Sequence, residues 1–346
     1  MFLLLLPAWV WGGNFWGFDG EREAFHGHVW ETRLSGFSDP AYDEAVERVI
    51  RAFEARKGEA LRPGARGKAG IKLYTHSGSG LKTPHGMTRA VIAALERRGF
   101  SRDDLLLFDT RESGLRAAGY LPPLSERDQG PYFEGVRVLH LDDPSLRDPL
   151  WYYESPLPDE FSNPMTRELL GGAQLDLDPG QLRRSYLASP LINEVDFWIN
   201  LPMAIEQYAV GVSGAMVNAS IWNVTNHRRF LGSPVNAPIA VAEIAAIPEI
   251  MDTWAFSIVT LESYQFIGGP FFNAHYTRSE PLMWLAVDPV ILDVLLLERF
   301  NEARSERGFE ELGSLLPYME YAVNFRLGHA SLSQMRRHRV EADDAD

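Results

Sequence analysis

The densest set of side chains able to do chemistry lies at residues 76–86, His-Ser-Gly-Ser-Gly-Leu-Lys-Thr-Pro-His-Gly. This segment follows an apolar run at 70–75 and precedes a helix expected over 87–98, closed by Gly99. A glycine-rich turn between a strand and a helix start presents backbone N–H groups and the positive end of the helix dipole, which suits an anion. His76, Lys82, Thr83 and His85 could add charge-assisted hydrogen bonds. The same residues also fit a plain tight turn with solvated side chains. Leu81 separates Gly80 from Lys82, so this is not the Walker type of phosphate loop. Gly78-Ser79-Gly80 lacks the spacing of a hydrolase nucleophile turn. His76 and His85 could ligate a metal, but three or four ligands are needed and no His-Glu-x-x-His helix supplies them. His26 and His28 form a second pair, read more simply as loop histidines.

Two more polar groupings stand out. Asn218, Asn223, Asn226, His227, Arg228 and Arg229 lie in one stretch that could hold a carboxylate or phosphate. Alternatively, its side chains satisfy their own backbone. Asp288 precedes Pro289 and reads as a helix N-cap. Asp293, five residues on, is more open to a functional reading, since paired carboxylates do acid–base work when a neighbour raises one pKa. Capping is the simpler account of the pair.

The elements that must position these groups follow an alternation of strand and helix. Strands are expected at 70–75, 105–109, 136–141, 195–201, 256–261 and 282–287. Helices are expected from Asp39-Pro40 to Gly58, then at 87–98, 111–118, 237–247, 289–304 and 315–327. Asp39 reads as the cap of the first helix. This order predicts an α/β fold with a largely parallel sheet flanked by helices. Residues 12–36 show no clear period, and the Pro-rich stretch at 142–190 reads as an insertion or lid. The expected organisation is an apolar and aromatic N-terminal segment at 1–36, a single domain at 37–330 and a charged tail at 331–346.

Composition narrows the function classes. The chain has 346 residues, 45% of them hydrophobic, enough for a core without staples. The net charge of −14 argues against nucleic-acid binding, which needs a basic face; the basic clusters are confined to 227–229 and 336–339. There is no cysteine, which excludes disulfides, thiolate nucleophiles, Cys-ligated zinc and an Fe–S cluster. Residues 1–11, MFLLLLPAWVW, match the length of a signal-peptide core but lack its basic start. They read either as the remainder of an export signal, which favours an extracytoplasmic location, or as a buried strand. No stretch is long enough for a stable membrane span. The nine tryptophans and nineteen phenylalanines read as packing.

Three segments in order carry a family resemblance. The first is the strand, loop and helix at 70–99, where Thr83-Pro84-His85 precedes Arg89-Ala90-Val91-Ile92 and the closing Gly99. The second is Asp196-Phe197-Trp198-Ile199-Asn200-Leu201-Pro202, followed by Gly211-Val212-Ser213-Gly214-Ala215-Met216-Val217-Asn218. The third runs from Gly268-Gly269-Pro270 to Leu285-Ala286-Val287-Asp288-Pro289-Val290-Ile291-Leu292-Asp293. In order and spacing these resemble the domain of unknown function 362 family over roughly residues 68–330. The resemblance implies no particular activity. Some members of that family append a ferredoxin-like cysteine cluster, which this chain lacks. Where the family places lysines and a histidine after its Asn-x-Pro, this chain has Met203, Ile205 and Gln207 or Tyr208. Val217 replaces a lysine, and Thr260 an aspartate.

Together these readings place a small-molecule site at the carboxyl ends of the strands. It would be built from the 76–86 loop, Asn200, Asn218, His227, Arg228, the Gly268-Gly269-Pro270 loop and Asp293, with an anionic metabolite or cofactor as its ligand. Two rivals stay open: a non-catalytic binding or scaffold protein on a degenerate fold, and a metal-dependent hydrolase or redox protein using His76 and His85. The residues name no cofactor or oligomeric state and leave open whether the site is catalytic.

Overall fold

The structure is a computed structural model that describes residues 15–16, 21–154 and 183–341. The expectations for residues 1–11, for most of the Pro-rich insertion and for the last five residues of the tail fall outside that range. The strands in chain order are β1 (His28–Arg33), β2 (Ala69–Lys72), β3 (Leu105–Asp109), β4 (Tyr132–Phe133), β5 (Val136–His140), β6 (Tyr152–Glu154), β7 (Arg184–Tyr186) and β8 (Phe197–Asn200). They continue as β9 (Ala204–Gln207), β10 (Gly211–Ser213), β11 (Trp254–Thr260), β12 (Tyr264–Gln265), β13 (Thr277–Arg278), β14 (Leu282–Ala286) and β15 (Arg336–Arg339). The helices that matter for the site are α1 (Asp39–Lys57), α2 (His85–Glu96), α3 (Glu112–Ala117), α4 (Ala215–Ala219), α5 (Arg228–Leu231), α6 (Asn236–Ala245), α7 (Pro248–Thr253), α8 (Pro289–Glu306) and α9 (Pro317–Asn324).

Nine strands form one sheet in the order β15-β1-β14-β11-β8-β2-β3-β5-β4. Its centre, β11-β8-β2-β3-β5, is parallel. β14 runs against both its neighbours, and β4 runs against β5. The α/β architecture with a mostly parallel sheet is therefore observed. A second, four-stranded sheet, β10-β9-β12-β13, stands beside it.

The strand period of two divides the interior. Ile71, Leu107, Phe197, Ile199 and Met283 pack with Val49 and Phe53 of α1 and Val91 and Leu95 of α2. Phe108, Trp198, Trp254 and Trp284 face the other way, into a core shared with α4, α6, α8 and α9. Strands buried on both faces read as continuous apolar runs, as β3 does with Leu-Leu-Leu-Phe.

The first helix differs from expectation by one residue. Ser38, not Asp39, is the cap and accepts from Ala41 N at 3.4 Å, while Asp39 opens the first turn. Gly58 closes it with φ 79°. Asp288 does cap α8, accepting from Val290 N and Ile291 N at 2.9 and 3.0 Å. It also accepts from Gly27 N and His329 N at 2.9 and 2.8 Å, which ties both chain ends to this helix start.

Several stretches for which no strand was expected form strands, two of them at one edge of the large sheet. Residues 28–33 form β1, and Arg336–Arg339, assigned to the charged tail, runs parallel to it as the edge strand β15. The sequence signal fails because β15 is Arg-Arg-His-Arg, with no apolar alternation. It is held by backbone pairing and by partners on β1. His28 Nδ1 lies 2.8 Å from His338 Nε2, the two rings stack, and Glu31 meets Arg337 at 3.4 Å. His28 is thus a strand residue packed on His338 of the neighbouring strand, not a loop histidine, while His26 does lie in the turn before β1.

This seam makes stability pH-dependent. Burial, then the His338, Arg56 and Arg336 charges, lower the pKa of His28 to about 4. Burial, Arg22 and His329 lower that of His26 to about 4. An unfolded histidine titrates near ~6.5. Between those values the unfolded chain binds more protons, so stability is full above pH ~6.5 and falls as the pH drops towards ~4. Thermal melts of the His28→Asn variant should show a shallower loss of Tm across this window than the parent protein. An identical slope would remove His28 from the account.

Candidate functional site

Four adjacent strands carry polar residues to one end of the sheet. Lys72 ends β2, Asn200 ends β8 and Asp109 ends β3. Asn200 stands opposite Lys72, and Ser257 of β11 stands opposite Asn200. All four are fully buried. From β2 the chain winds outward to β3 and β5, then returns to β8 and β11 on the other side. The carboxyl ends of β2 and β8 are therefore the topological switch point, where open α/β sheets place their ligands.

One connected network joins these groups. Lys72 Nζ donates to Asp109 Oδ1 at 2.8 Å, to the Leu73 carbonyl at 2.7 Å and to Asn218 Oδ1 at 3.3 Å. Asn218 Nδ2 donates to Asn200 Oδ1 at 2.7 Å. Asn200 Nδ2 donates to the Ala215 carbonyl and to Ser257 Oγ, both at 3.0 Å. Asp109 also accepts from Thr75 Oγ1 at 2.6 Å and Thr110 N at 2.7 Å. His76 Nε2 lies 3.2 Å from Asp109 Oδ1 and 2.9 Å from Thr110 Oγ1.

Electrostatics follow from this packing. Burial would raise Asp109, but the adjacent Lys72 and His76 outweigh it and hold the carboxyl well below its usual range. Burial pushes Lys72 down and Asp109 opposes it; a Lys72 ammonium beside an ionised Asp109 is the state that fits the bonds. Burial also lowers His76 against the pull of Asp109, leaving a neutral imidazole. The His76 ring is fixed by Trp222, stacked at 3.9 Å between centroids, with His227 at 5.7 Å. A neutral imidazole backed by a carboxylate can accept a proton and be stabilised as imidazolium.

Beyond this network lie two clefts. A cleft of about 580 Å³ opens where Thr110 and Arg111 leave β3 and Leu141 and Asp142 leave β5, and it is completed by Arg147, Arg184, Tyr186 and residues 224–228. Among the described residues four arginines face it, against one acid, Asp142, and burial holds the pKa of His227 beside them well below its usual value. A second cleft of about 390 Å³ is lined by His76, Gln207, Tyr208, Trp222, Leu231, Gly269, Pro270 and Phe271. Arg111, His227 and Arg228 line both. Guanidinium groups present planar forks of N–H donors that match carboxylate and phosphate oxygens.

The structure separates the residues singled out from sequence. His76, His227, Arg228 and Gly269 line the clefts. Asn200 and Asn218 belong to the buried network behind them. Lys82 and His85 turn elsewhere: Lys82 Nζ donates to the Ala118 carbonyl just after α3 and lies 3.1 Å from His85 Nε2, which itself lies 2.8 Å from that carbonyl. Thr83 is wholly buried, accepting from Tyr74 N and donating to the Leu201 carbonyl. The structure therefore does not bring the 76–86 side chains together: His76 lines a cleft, while backbone groups take up Lys82, Thr83 and His85. Gly268 N donates to Glu206 Oε2 at 2.6 Å. Asp293 is a helix anchor, accepting from Ala215 N at 2.6 Å, Met216 N at 3.1 Å and the Tyr318 hydroxyl at 3.0 Å. Burial pushes its pKa up to about 7 against those three bonds. Among the described residues no three His, Asp or Glu side chains gather as a metal site. No helix there is long and apolar enough to cross a membrane.

Sequence reasoning missed Lys72, Asp109, Arg111, Arg147, Arg184 and Trp222. For the first two a signal existed. A lysine inside the apolar run Gly-Ile-Lys-Leu-Tyr, and an aspartate ending Leu-Leu-Leu-Phe, can be buried only as partners. The arginines are scattered over distant segments of the chain and become neighbours only in the fold.

No family model matches the chain, and no curated protein matches it. Among solved structures, a crystal structure of a protein from Thermotoga maritima is similar at 10% identity, with a TM-score of 0.39. The match covers 78% of this chain and 59% of that protein.

Breaking the buried pair should be costly. Asp109→Ala strands Lys72 without its counter-charge and should cost about 3–5 kcal/mol in denaturant unfolding. The double variant Lys72→Met, Asp109→Leu should recover a substantial part of that loss. If the double variant proves as unstable as the sum of its single variants, the two groups do not act as a pair.

Proposed function

We propose that this protein binds a small organic anion, a carboxylate or phosphate ester, in the arginine-lined cleft at the carboxyl ends of β3 and β5. The observation that carries this reading is the convergence of Arg111, Arg147, Arg184 and Arg228 on one opening, with Asp142 as the single acid among the described residues that line it, in a chain of net charge −14. Scattered arginines on an acidic protein have no general reason to gather at the ligand-binding end of its sheet. We also propose that the chain is a divergent relative of the domain of unknown function 362 family. The ordered segments at 70–99, 196–218 and 268–293 support this: Lys72, Asn200 and Asn218 share one hydrogen-bond network, and His76 and Gly269 line one cleft.

A catalytic reading is favoured by one further observation. His76 lies within hydrogen-bond distance of Asp109 and lines the second cleft, so it could serve as a general base towards a ligand held by the neighbouring arginines. Asp109 would stay ionised and stabilise the imidazolium that forms.

Isothermal titration with inorganic phosphate and with acetate at low salt tests the binding reading. The parent protein should bind at least one of them. Arg111→Ala and Arg228→Ala should each weaken that binding by tenfold or more, as expected for a lost charged hydrogen bond worth about 1.5–3 kcal/mol. Rising salt should weaken it further. Binding unchanged in both variants would sink the proposal.

A further inference from the structure

The two clefts are not independent. Arg111, His227 and Arg228 form a wall common to both, so a molecule held by these arginines lies at the mouth of each. The chemistry on either side of that wall differs sharply. One side is cationic. The other carries Trp222, Leu231, Tyr208 and Phe271. Phe271 is 80% exposed and Tyr208 78%, so two aromatic rings stand in water at the rim of a concave site. Aromatic surface in that position gains free energy when a ligand covers it.

A second, independent observation lies in the same chamber. Among the described residues, Gln207 Oε1 and His227 Nε2 are buried atoms with no hydrogen-bond partner. Both side chains line the chamber, and each residue is only 5% exposed. Other buried atoms of the described residues also lack a partner, Arg22 Nε, His26 Nε2 and Trp254 Nε1 among them, but these two share one open chamber, where a ligand can supply what the protein does not. Gln207 Oε1 can only accept a hydrogen bond, and so can His227 Nε2, because the Nδ1 of that ring donates to the Val224 carbonyl at 3.2 Å.

We infer that one ligand spans both clefts. Its phosphate or carboxylate head lies between Arg111 and Arg228. Its flat, largely apolar body rests against Leu231, Tyr208 and Phe271, with a hydroxyl or amino group within reach of Gln207 or His227. The ligand class is thus an aryl or similarly flat organic anion, held more tightly than a free inorganic ion or a small acid such as acetate. This rests on the anion-binding reading above and narrows its substrate class.

Titration with 1-naphthyl phosphate, inorganic phosphate and 1-naphthol separates the possibilities. The parent protein should bind 1-naphthyl phosphate at least tenfold more tightly than either of the other two. Phe271→Ala, a change at an exposed position, should erase most of that advantage while leaving inorganic phosphate binding unaltered. Arg228→Ala should weaken both phosphates. Equal binding of 1-naphthyl phosphate and inorganic phosphate, both dependent on Arg228, would overturn the two-chamber ligand and keep the anion site. Equal binding of 1-naphthol and 1-naphthyl phosphate would overturn it too, because the head would then contribute nothing. Binding indifferent to Arg228 would overturn the anion site itself.

Discussion

A lysine ammonium removed from water must recover its hydration energy from protein groups, and Lys72 places every one of its donors to that end. Its three N–H donors go to Asp109, the Leu73 carbonyl and Asn218. The partner carboxylate takes Thr75, Thr110 N and His76 as well. Each bond fixes a segment that must be in place for the pair to be buried at all. Thr75 and His76 belong to the loop leaving β2, and Thr110 to the loop leaving β3. Asn218 belongs to α4 on the face of the sheet. A buried ion pair is weak evidence for stability, since apolar residues of similar size often do as well. What apolar residues could not supply is direction. Here the pair orients the imidazole of His76 and holds the turn from which Arg111 emerges.

The network in turn relies on anchoring farther away. Asn218 reaches Lys72 and Asn200 only if α4 starts at the right height above the sheet. That start is held by Asp293 of α8, which takes the N–H groups of Ala215 and Met216. Gly214 permits the approach: a Cβ there would lie 2.2 Å from Asp293 Oδ1. A second buried carboxylate, Asp288, fixes the same helix to Gly27 and His329 near the two ends of the chain. Two aspartates five residues apart on one helix thus serve position, the first for the termini and the second for the site. The capping explanation of the pair holds, and it extends to a cap supplied across space to another helix.

The fold was largely legible in the sequence because its central elements follow local rules. β3 reads as an apolar run, α1 carries its cap, proline and closing glycine, and α8 follows Asp288-Pro289. The elements that escaped obey tertiary rules instead. β15 is four charged or polar residues held by an edge, and α4 lies where no helix was expected, leading into a polar stretch. The site divides along the same line. His76, His227 and Arg228 stood out because polar residues clustered locally. Lys82 and His85 stood out for the same reason, yet they are taken up by the backbone after α3. The negative end of that helix is a natural place for a cation, and no local pattern could have revealed that it was within reach. Lys72 and Asp109 were hidden by the opposite error, since an apolar run draws attention away from the one charge inside it.

The overall charge sharpens what the arginine cleft can select. With a net charge of −14, the surface repels anions at long range, most strongly at low ionic strength. Screening over ~10 Å at 0.1 M salt confines that repulsion, and inside the cleft the local field belongs to the four guanidinium groups. An anion therefore gains attraction only once it is near the opening, where shape and hydrogen-bond geometry already act. A small, strongly hydrated ion loses its water there for a few cationic contacts alone. An anion with a flat body also covers the rings of Phe271 and Tyr208, and that contribution does not weaken with salt. The same arrangement that makes the protein a poor general anion trap favours ligands that pair charge with apolar surface.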